Sequence, residues 1–345
     1  MSNSVTVAEA RSLVRQALQN SADQGRFESR RNAYPLLAKL GCLPSGLEGI
    51  LIDNGPSVFH SLAFRMATYN EERLFRRWEQ LLSQVCEFDG WESEYSNWNS
   101  RQDHWAIKWN RFNQFLWMLQ CCEHFADNGG EVSFPYSNTT AKPDIHVKYG
   151  DGSELYVECY QYTKWWGTEH LVEDLLYAVD QNLHIERMHN LRYHNNRFAD
   201  TPDKAVIEAL AELSKHLSPE KLADLRKQAH SETPVEVCKL GDFVVLLDGP
   251  GDYRPRSNAH GDPNYSWPVF RDEIFRSKRE SNDLLNHRPN LLLVNCLGVD
   301  FQASLNENSK TLCLPPSLDE VWFCTCGIDD KIETSCQLQV HRPSC

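Results

Sequence analysis

Apolar residues recur along this chain at two different spacings, and the changes between them mark its elements. Val7, Ala10, Val14 and Leu18 fall at helical intervals and predict a helix over 7–18. Leu74, Trp78, Leu81, Leu82 and Val85 predict a second over 72–85. Between them, GCLPSGLEGILIDNGPSV is punctuated by Gly and Pro and reads as loops around a short apolar segment. The polar, turn-rich stretch 88–103 reads as a boundary. Beyond it the pattern predicts a helix over 105–126, a Gly-Gly break, a strand over 131–134, and a hairpin of strands 144–149 and 154–162. A helix over 168–191 and further helices between 202 and 229 follow. Apolar strands at 242–248 and 290–298 flank a helix over 269–285, and EVWFCTC supplies a last strand. Helices alternating with apolar strands predict an α/β class, a mixed sheet flanked by helices. The expected division is a helical N-terminal region over 1–100 and an α/β domain over 101–345, with a helical insertion near 200–230.

Composition narrows the class. With 345 residues, 41% of them hydrophobic and 11% aromatic, the chain belongs with folded globular proteins. No apolar run approaches the ~20 residues a membrane-spanning helix needs, and the N-terminus lacks the basic-then-apolar layout of a secretion signal. The expected location is cytoplasmic, and no membrane partner is expected. The 48 acidic against 35 basic side chains give a formal charge of −13. That excludes a protein that coats nucleic acid by positive charge. It leaves room for a nuclease, whose metal site needs carboxylates. Twelve cysteines are scattered from Cys42 to Cys345, several within apolar stretches (Cys121, Cys122, Cys159, Cys296), and read as reduced, buried thiols.

Candidate chemistry concentrates in KPDIHVKYGDGSELYVECYQYTK, residues 142–164. A three-residue loop centred on Asp151 sets Asp144 directly across from Glu158; a two-residue turn would put them on opposite faces. Directly opposed residues share a sheet face with Cβ atoms about 5 Å apart. Two carboxylates that close repel unless a cation lies between them, and magnesium takes oxygen ligands. In the preceding helix, Trp105, Trp109, Phe112, Leu116 and Leu119 step by 4, 3, 4 and 3, and the next step reaches Glu123. That carboxylate sits either at the wet helix end or is aimed at something buried.

The order helix with Glu, strand, Pro-Asp strand, hairpin, Glu strand, helix resembles the PD-(D/E)XK nuclease superfamily, the restriction-endonuclease-like fold. The resemblance covers 105 to about 191, with strands 242–248 and 290–298 completing the sheet. Pro143-Asp144 matches the first half of the motif, Glu158 the second acid and Glu123 the frequent helix glutamate. The resemblance implies a phosphodiesterase dependent on Mg2+ or Mn2+, with Asp144 and Glu158 binding the metal and activating water. The sequence departs from the pattern at the lysine two residues after the second acid, here Tyr160. Lys142, across from Tyr160 in the same register, is the preferred substitute. Lys148 is roughly 13 Å along the strand from Asp144, and Lys164 lies past the strand end. The alternative reading is a catalytically inactive module on the same fold that binds nucleic acid or a protein partner.

Other signals are weaker. HIERMHNLRYHNNR, read as a continuation of the helix after the hairpin, places Arg187, Arg192 and Arg197 beside three histidines. This is either a stripe that grips phosphates or a solvated helix face. Tyr156 reads as cross-strand packing, whereas Trp165 and Trp166 are open between packing and base stacking. Cys324, Cys326, Cys336, His341 and Cys345 match zinc-site spacings poorly. Asp248 ends an apolar strand where α/β proteins bind ligands, although a turn explains it equally well. The helical N-terminal region is the candidate surface for a second copy or a protein partner.

Overall fold

The computed structural model describes residues 3–40, 43–52, 58–70, 72–99, 109–135, 142–161, 166–187, 202–229, 234–240, 243–249, 275, 287–296, 314–327, 331–332 and 336–341. The helices are α1 (Asn3–Ser21), α2 (Gln24–Ala33), α3 (Pro35–Leu40), α4 (Ser61–Thr68), α5 (Glu72–Val85), α6 (Trp91–Asn99), α7 (Trp109–Asp127), α8 (Trp166–Val179), α9 (Pro202–His216) and α10 (Pro219–Gln228). The strands are β1 (Glu131–Ser133), β2 (Ile145–Lys148), β3 (Glu154–Gln161), β4 (Leu183–Arg187), β5 (Val235–Leu240), β6 (Phe243–Leu247), β7 (Asn290–Asn295), β8 (Glu320–Cys324) and β9 (Cys336–His341). The class is mixed α/β with helices flanking a mixed sheet and a helical N-terminal region, as the pattern predicts. No described helix is long and apolar enough to cross a membrane.

The chain divides into two compact units, each assembled from separated segments: 1–71 with 103–110 and 163–259, and 72–102 with 111–162 and 260–345. In the first unit α1 packs on α8 and α9. Two of its side chains satisfy helix C-terminal carbonyls that have no partner within their own helix. The Gln16 amide donates to Leu217 O (2.8 Å) and the Asn20 amide to Val179 O (3.0 Å). Arg30, 4% exposed, does the same for the end of α4, donating to Met66 O and Tyr69 O at 2.8 and 2.7 Å. The unit's sheet is a three-stranded antiparallel one in the order β4-β6-β5.

Arg65 on α4 donates to the Asp174 carboxylate on α8, and its guanidinium lies 4.9 Å from the Tyr69 ring centroid. Burial outweighs the attraction of Arg65 and raises Asp174 from 3.8 to about 6. Because the folded-state value lies above the unfolded one, protonation favours the fold. The stability that Asp174 contributes is full below about pH 4 and is lost as pH rises through about 6, a change of roughly 3 kcal/mol. Denaturant unfolding across this window should show stability falling with pH in the wild type, with that part of the slope absent in Asp174→Asn. An identical slope in the variant excludes Asp174 as its source.

The second unit is built on a six-stranded mixed sheet in the order β1-β2-β3-β7-β8-β9. β3 and β7, and β7 and β8, run parallel, while the remaining pairs are antiparallel. β7 is buried along its whole length, as expected of a central strand covered on both faces. α7 lies on the face that carries Val157 and Cys159. Its Trp117 indole N–H donates to Leu293 O (3.4 Å), and its Cys121 thiol is hydrogen-bonded to Cys159. α5 has the predicted apolar stripe, and the Trp78 ring meets Phe112 of α7 edge-on with centroids 5.1 Å apart.

Four expectations are corrected. The polar stretch 88–103 contains α6, because Trp91 and Trp98 supply a buried helical face. The helix expected over 168–191 ends at Val179. There the Asp180 carboxylate accepts from the Asn182 N–H (3.0 Å), and the chain turns into β4. Residues 184–187 are therefore strand, with Leu183 and Ile185 buried in alternation. The strand expected at 242–248 is β6, which joins β4 and β5 and not the sheet of the hairpin. Strand β9 was not anticipated; it pairs antiparallel with β8. The helix expected over 269–285 lies outside the described residues apart from Phe275, which is buried.

Candidate functional site

The hairpin turn sets the geometry of the candidate carboxylates. Gly152 N–H donates to Tyr149 O (2.9 Å), Tyr149 N–H donates to Ser153 O (2.9 Å), and Gly152 has φ of 84°. This is a three-residue loop with glycine in the left-handed position, which a Cβ would strain. Asp151 fastens it by accepting from the Ser153 N–H and hydroxyl at 2.9 and 2.6 Å. Those bonds hold its carboxyl below the usual range. The ladder then pairs Lys148 with Glu154, Val147 with Leu155, His146 with Tyr156 and Ile145 with Val157. The ladder ends there, and the chain bends at Asp144, one step short of the predicted pairing with Glu158.

Asp144 stands just before β2, after Pro143. Its Oδ2 accepts the Cys159 N–H at 2.8 Å, so the side chain supplies a hydrogen bond where the backbone ladder stops. Val157 and Cys159 are buried beneath α7, while Glu158 and Tyr160 alternate with them and point to the opposite sheet face, both half-buried.

Lys142 lies two residues before Asp144. Its Nζ donates to Glu94 Oε2 of α6 at 2.7 Å and to Pro135 O at 3.1 Å. Glu94 is only 5% exposed. Sequence reasoning missed this carboxylate, although a signal for it exists: Trp91, Glu94 and Trp98 step by 3 and 4, so the acid lies within a buried aromatic stripe. The helix is fixed by Gly90, whose φ is 81° and where a Cβ would come 2.2 Å from Phe134 O. Only glycine allows α6 to start this close to the end of β1. The Cys122 thiol of α7 is pushed up first by burial, then by the nearby Cys159, Asp144 and Glu94, so Asp144 and Glu94 act on the same buried point.

Glu123 occupies the last step of the α7 stripe and is aimed at a half-buried partner. The Arg77 guanidinium of α5 grips both its oxygens, with Nη1 2.5 Å from Oε1. That hydrogen bond is the main cause of the raised Arg77 pKa. Beyond it, Lys331 pairs with Asp127 at 2.8 Å. Among the described residues, no group of three or more His, Cys, Asp or Glu is placed to hold a metal ion.

The remaining candidates separate. On the hairpin, the His146 ring stacks on Tyr156 (4.6 Å, 7°) and its Nε2 is 3.2 Å from Glu154 Oε2, so Tyr156 is cross-strand packing as expected. Lys148 is exposed, with Nζ 4.0 Å from Glu154 Oε1. Arg187 belongs to strand β4, opposite Phe243, so the helical stripe does not begin as expected. Arg192, Arg197, Lys164, Trp165 and Cys345 lie outside the described residues, as does the side chain of Trp166. Asp248 has Oδ2 3.2 Å from His184 Nδ1. Cys324 pairs with Cys336 across β8 and β9, and the Cys326 backbone is held on both sides by the Asn295 amide. Cys121, Cys122, Cys159, Cys296, Cys324 and Cys326 are buried free thiols. Against known proteins, the chain matches no family model, no curated protein and no solved structure.

Proposed function

We propose that the chain is a metal-dependent phosphodiesterase acting on DNA or RNA, with Asp144 and Glu158 as its paired carboxylates. The observation that supports this reading is the hairpin register, which pairs Ile145 with Val157 beside the two acids, together with the Asp144 carboxylate reaching the Cys159 N–H next to Glu158. The helix–strand–hairpin order of α7, β1, β2 and β3 within a mixed sheet supports a restriction-endonuclease-like fold. The donor set suits a hard divalent ion, since Mg2+ is commonly bound through one or two carboxylates plus substrate phosphate and water. When bound, Mg2+ or Mn2+ polarises the phosphoryl oxygen and lowers the pKa of a bound water. Of the chain's own residues, Asp144 and Glu158 bind and orient, Glu123 is engaged by Arg77, and Lys142 brings an ammonium to the segment that carries Asp144.

One observation favours a second reading, a non-cutting module that binds nucleic acid or a protein partner. Tyr160 stands where the motif has lysine, and the Lys142 ammonium is already held by Glu94 and Pro135 O. The experiment that decides uses full-length protein with labelled single-stranded and duplex DNA and RNA, in Mg2+ and in Mn2+. Cutting that EDTA abolishes is expected. Salt-sensitive binding without cutting in either metal moves the function to the second reading. Absence of both cutting and nucleic-acid binding overturns the nucleic-acid role.

A further inference from the structure

Glu94 is a buried carboxylate on a helix that the nuclease resemblance does not include. Its side chain is 6% exposed and that of its partner Lys142 18%. A buried carboxylate is retained at a cost unless it is paired and hydrogen-bonded. Here the pairing reaches across 48 residues to the short segment between Pro135 and Asp144. Lys142 also donates to Pro135 O, so its ammonium is held from two directions. Gly90 and the aromatic contacts of Trp91 with Tyr95, Phe115 and Phe134 fix α6 in turn. The ammonium is thus anchored to a buried carboxylate of α6, two residues before Asp144 in the chain.

We infer that Glu94 is a positioning residue of the candidate site: it holds the Lys142 ammonium at the strand entry carrying Asp144, in place of the lysine that the strand itself lacks. A lysine on a flexible four-carbon stem is a mobile point charge. Fixing it on a buried acid removes that freedom before substrate arrives, and preorganised charge stabilises a developing phosphoryl transition state without reorganisation. This explains why a buried acid is kept on α6 while the expected strand position carries tyrosine.

The inference rests on the hydrolytic reading of Asp144 and Glu158, and the test separates the two. Full-length wild type, Glu94→Gln, Glu94→Asp, Lys142→Met and the Glu94→Gln/Lys142→Met double variant are compared in two assays. The first is cleavage kinetics at saturating Mg2+. The second is acylation of the Lys142 amine by acetic anhydride, read by mass spectrometry. Glu94→Gln and Lys142→Met are each expected to lower kcat roughly 10- to 100-fold with little change in KM, as loss of an orienting partner does. The double variant should be no slower than the worse single variant. Acylation of Lys142 should rise several-fold in Glu94→Gln. Glu94→Asp should recover part of the lost kcat, and it carries the comparison if Glu94→Gln does not fold.

Multiplicative losses in the double variant, or a wild-type kcat in Glu94→Gln, overturn the positioning role even where Asp144 and Glu158 prove essential. Unchanged acylation of Lys142 in the Glu94 variants overturns the hold itself, without reference to cleavage. Dispensable Asp144 and Glu158, or a wild type that cuts nothing, overturn the hydrolytic reading and this inference with it.

Discussion

Asp144→Asn is expected to lower kcat/KM for nucleic-acid cleavage on the order of a thousandfold while leaving the fold intact. The size follows from the several kcal/mol that a bound metal contributes to stabilising transition-state charge, at 1.36 kcal/mol for each factor of ten. Asn is the informative replacement because the proposed reading gives Asp144 two tasks. Its Oδ2 accepts the Cys159 N–H at 2.8 Å, and an amide oxygen performs that task without the charge. Asp144→Ala removes both functions and is expected to cost a further ~1–3 kcal/mol of stability, since the part-buried N–H loses its acceptor. On the proposed reading the two carboxylates share one ion, so Glu158→Gln should match Asp144→Asn in rate. The measurements are cleavage rates in Mg2+ beside thermal unfolding midpoints. Asp144→Asn that folds and cuts at the wild-type rate removes this residue from the site, and loss of rate only in the alanine variant marks Asp144 as a strand cap alone.

What could be read from residues alone followed the strength of local constraint. The register of β2 and β3 was legible because Tyr149-Gly150-Asp151-Gly152 admits few turns, and a glycine at φ 84° selects the three-residue loop. α5 was legible to the residue, since six buried apolar side chains form one uninterrupted stripe. α6 was hidden by composition: Glu, Ser and Asn dominate WESEYSNWN, and the two tryptophans that carry its buried face are seven residues apart. β4 was hidden by continuity, because Leu183 and Ile185 follow an apolar helix and the Asp180 turn between them is short. The separate sheet of β4, β5 and β6 rests on pairings between distant segments, about which local pattern says little. Glu94 was missed for the same reason as its helix, and its meaning came only from a partner 48 residues away.

Arg77→Ala is expected to lower the stability of the second unit by about 3 kcal/mol, near the lower end of what stranding a buried charge costs. Arg77 is 14% and Glu123 9% exposed at the side chain, and the guanidinium meets both carboxylate oxygens, so neither charge is well hydrated. Removing Arg77 leaves Glu123 at the end of an apolar stripe formed by Phe112, Leu116 and Leu119, each no more than 1% exposed. The same stripe explains why the acid looked anomalous in the sequence: it continues a core face and tolerates a charge only because α5 delivers a fork-shaped partner. Arg77→Lys should recover only part of the loss, since an ammonium cannot reproduce the two parallel hydrogen bonds. Arg77→Met/Glu123→Leu together should fall within about 1 kcal/mol of the wild type, because the cost lies in stranding one charge and not in lacking the pair. Denaturant midpoints at constant slope provide the measurement. A double variant as unstable as Arg77→Ala would mean that packing around the stems, and not the uncompensated carboxylate, dominates.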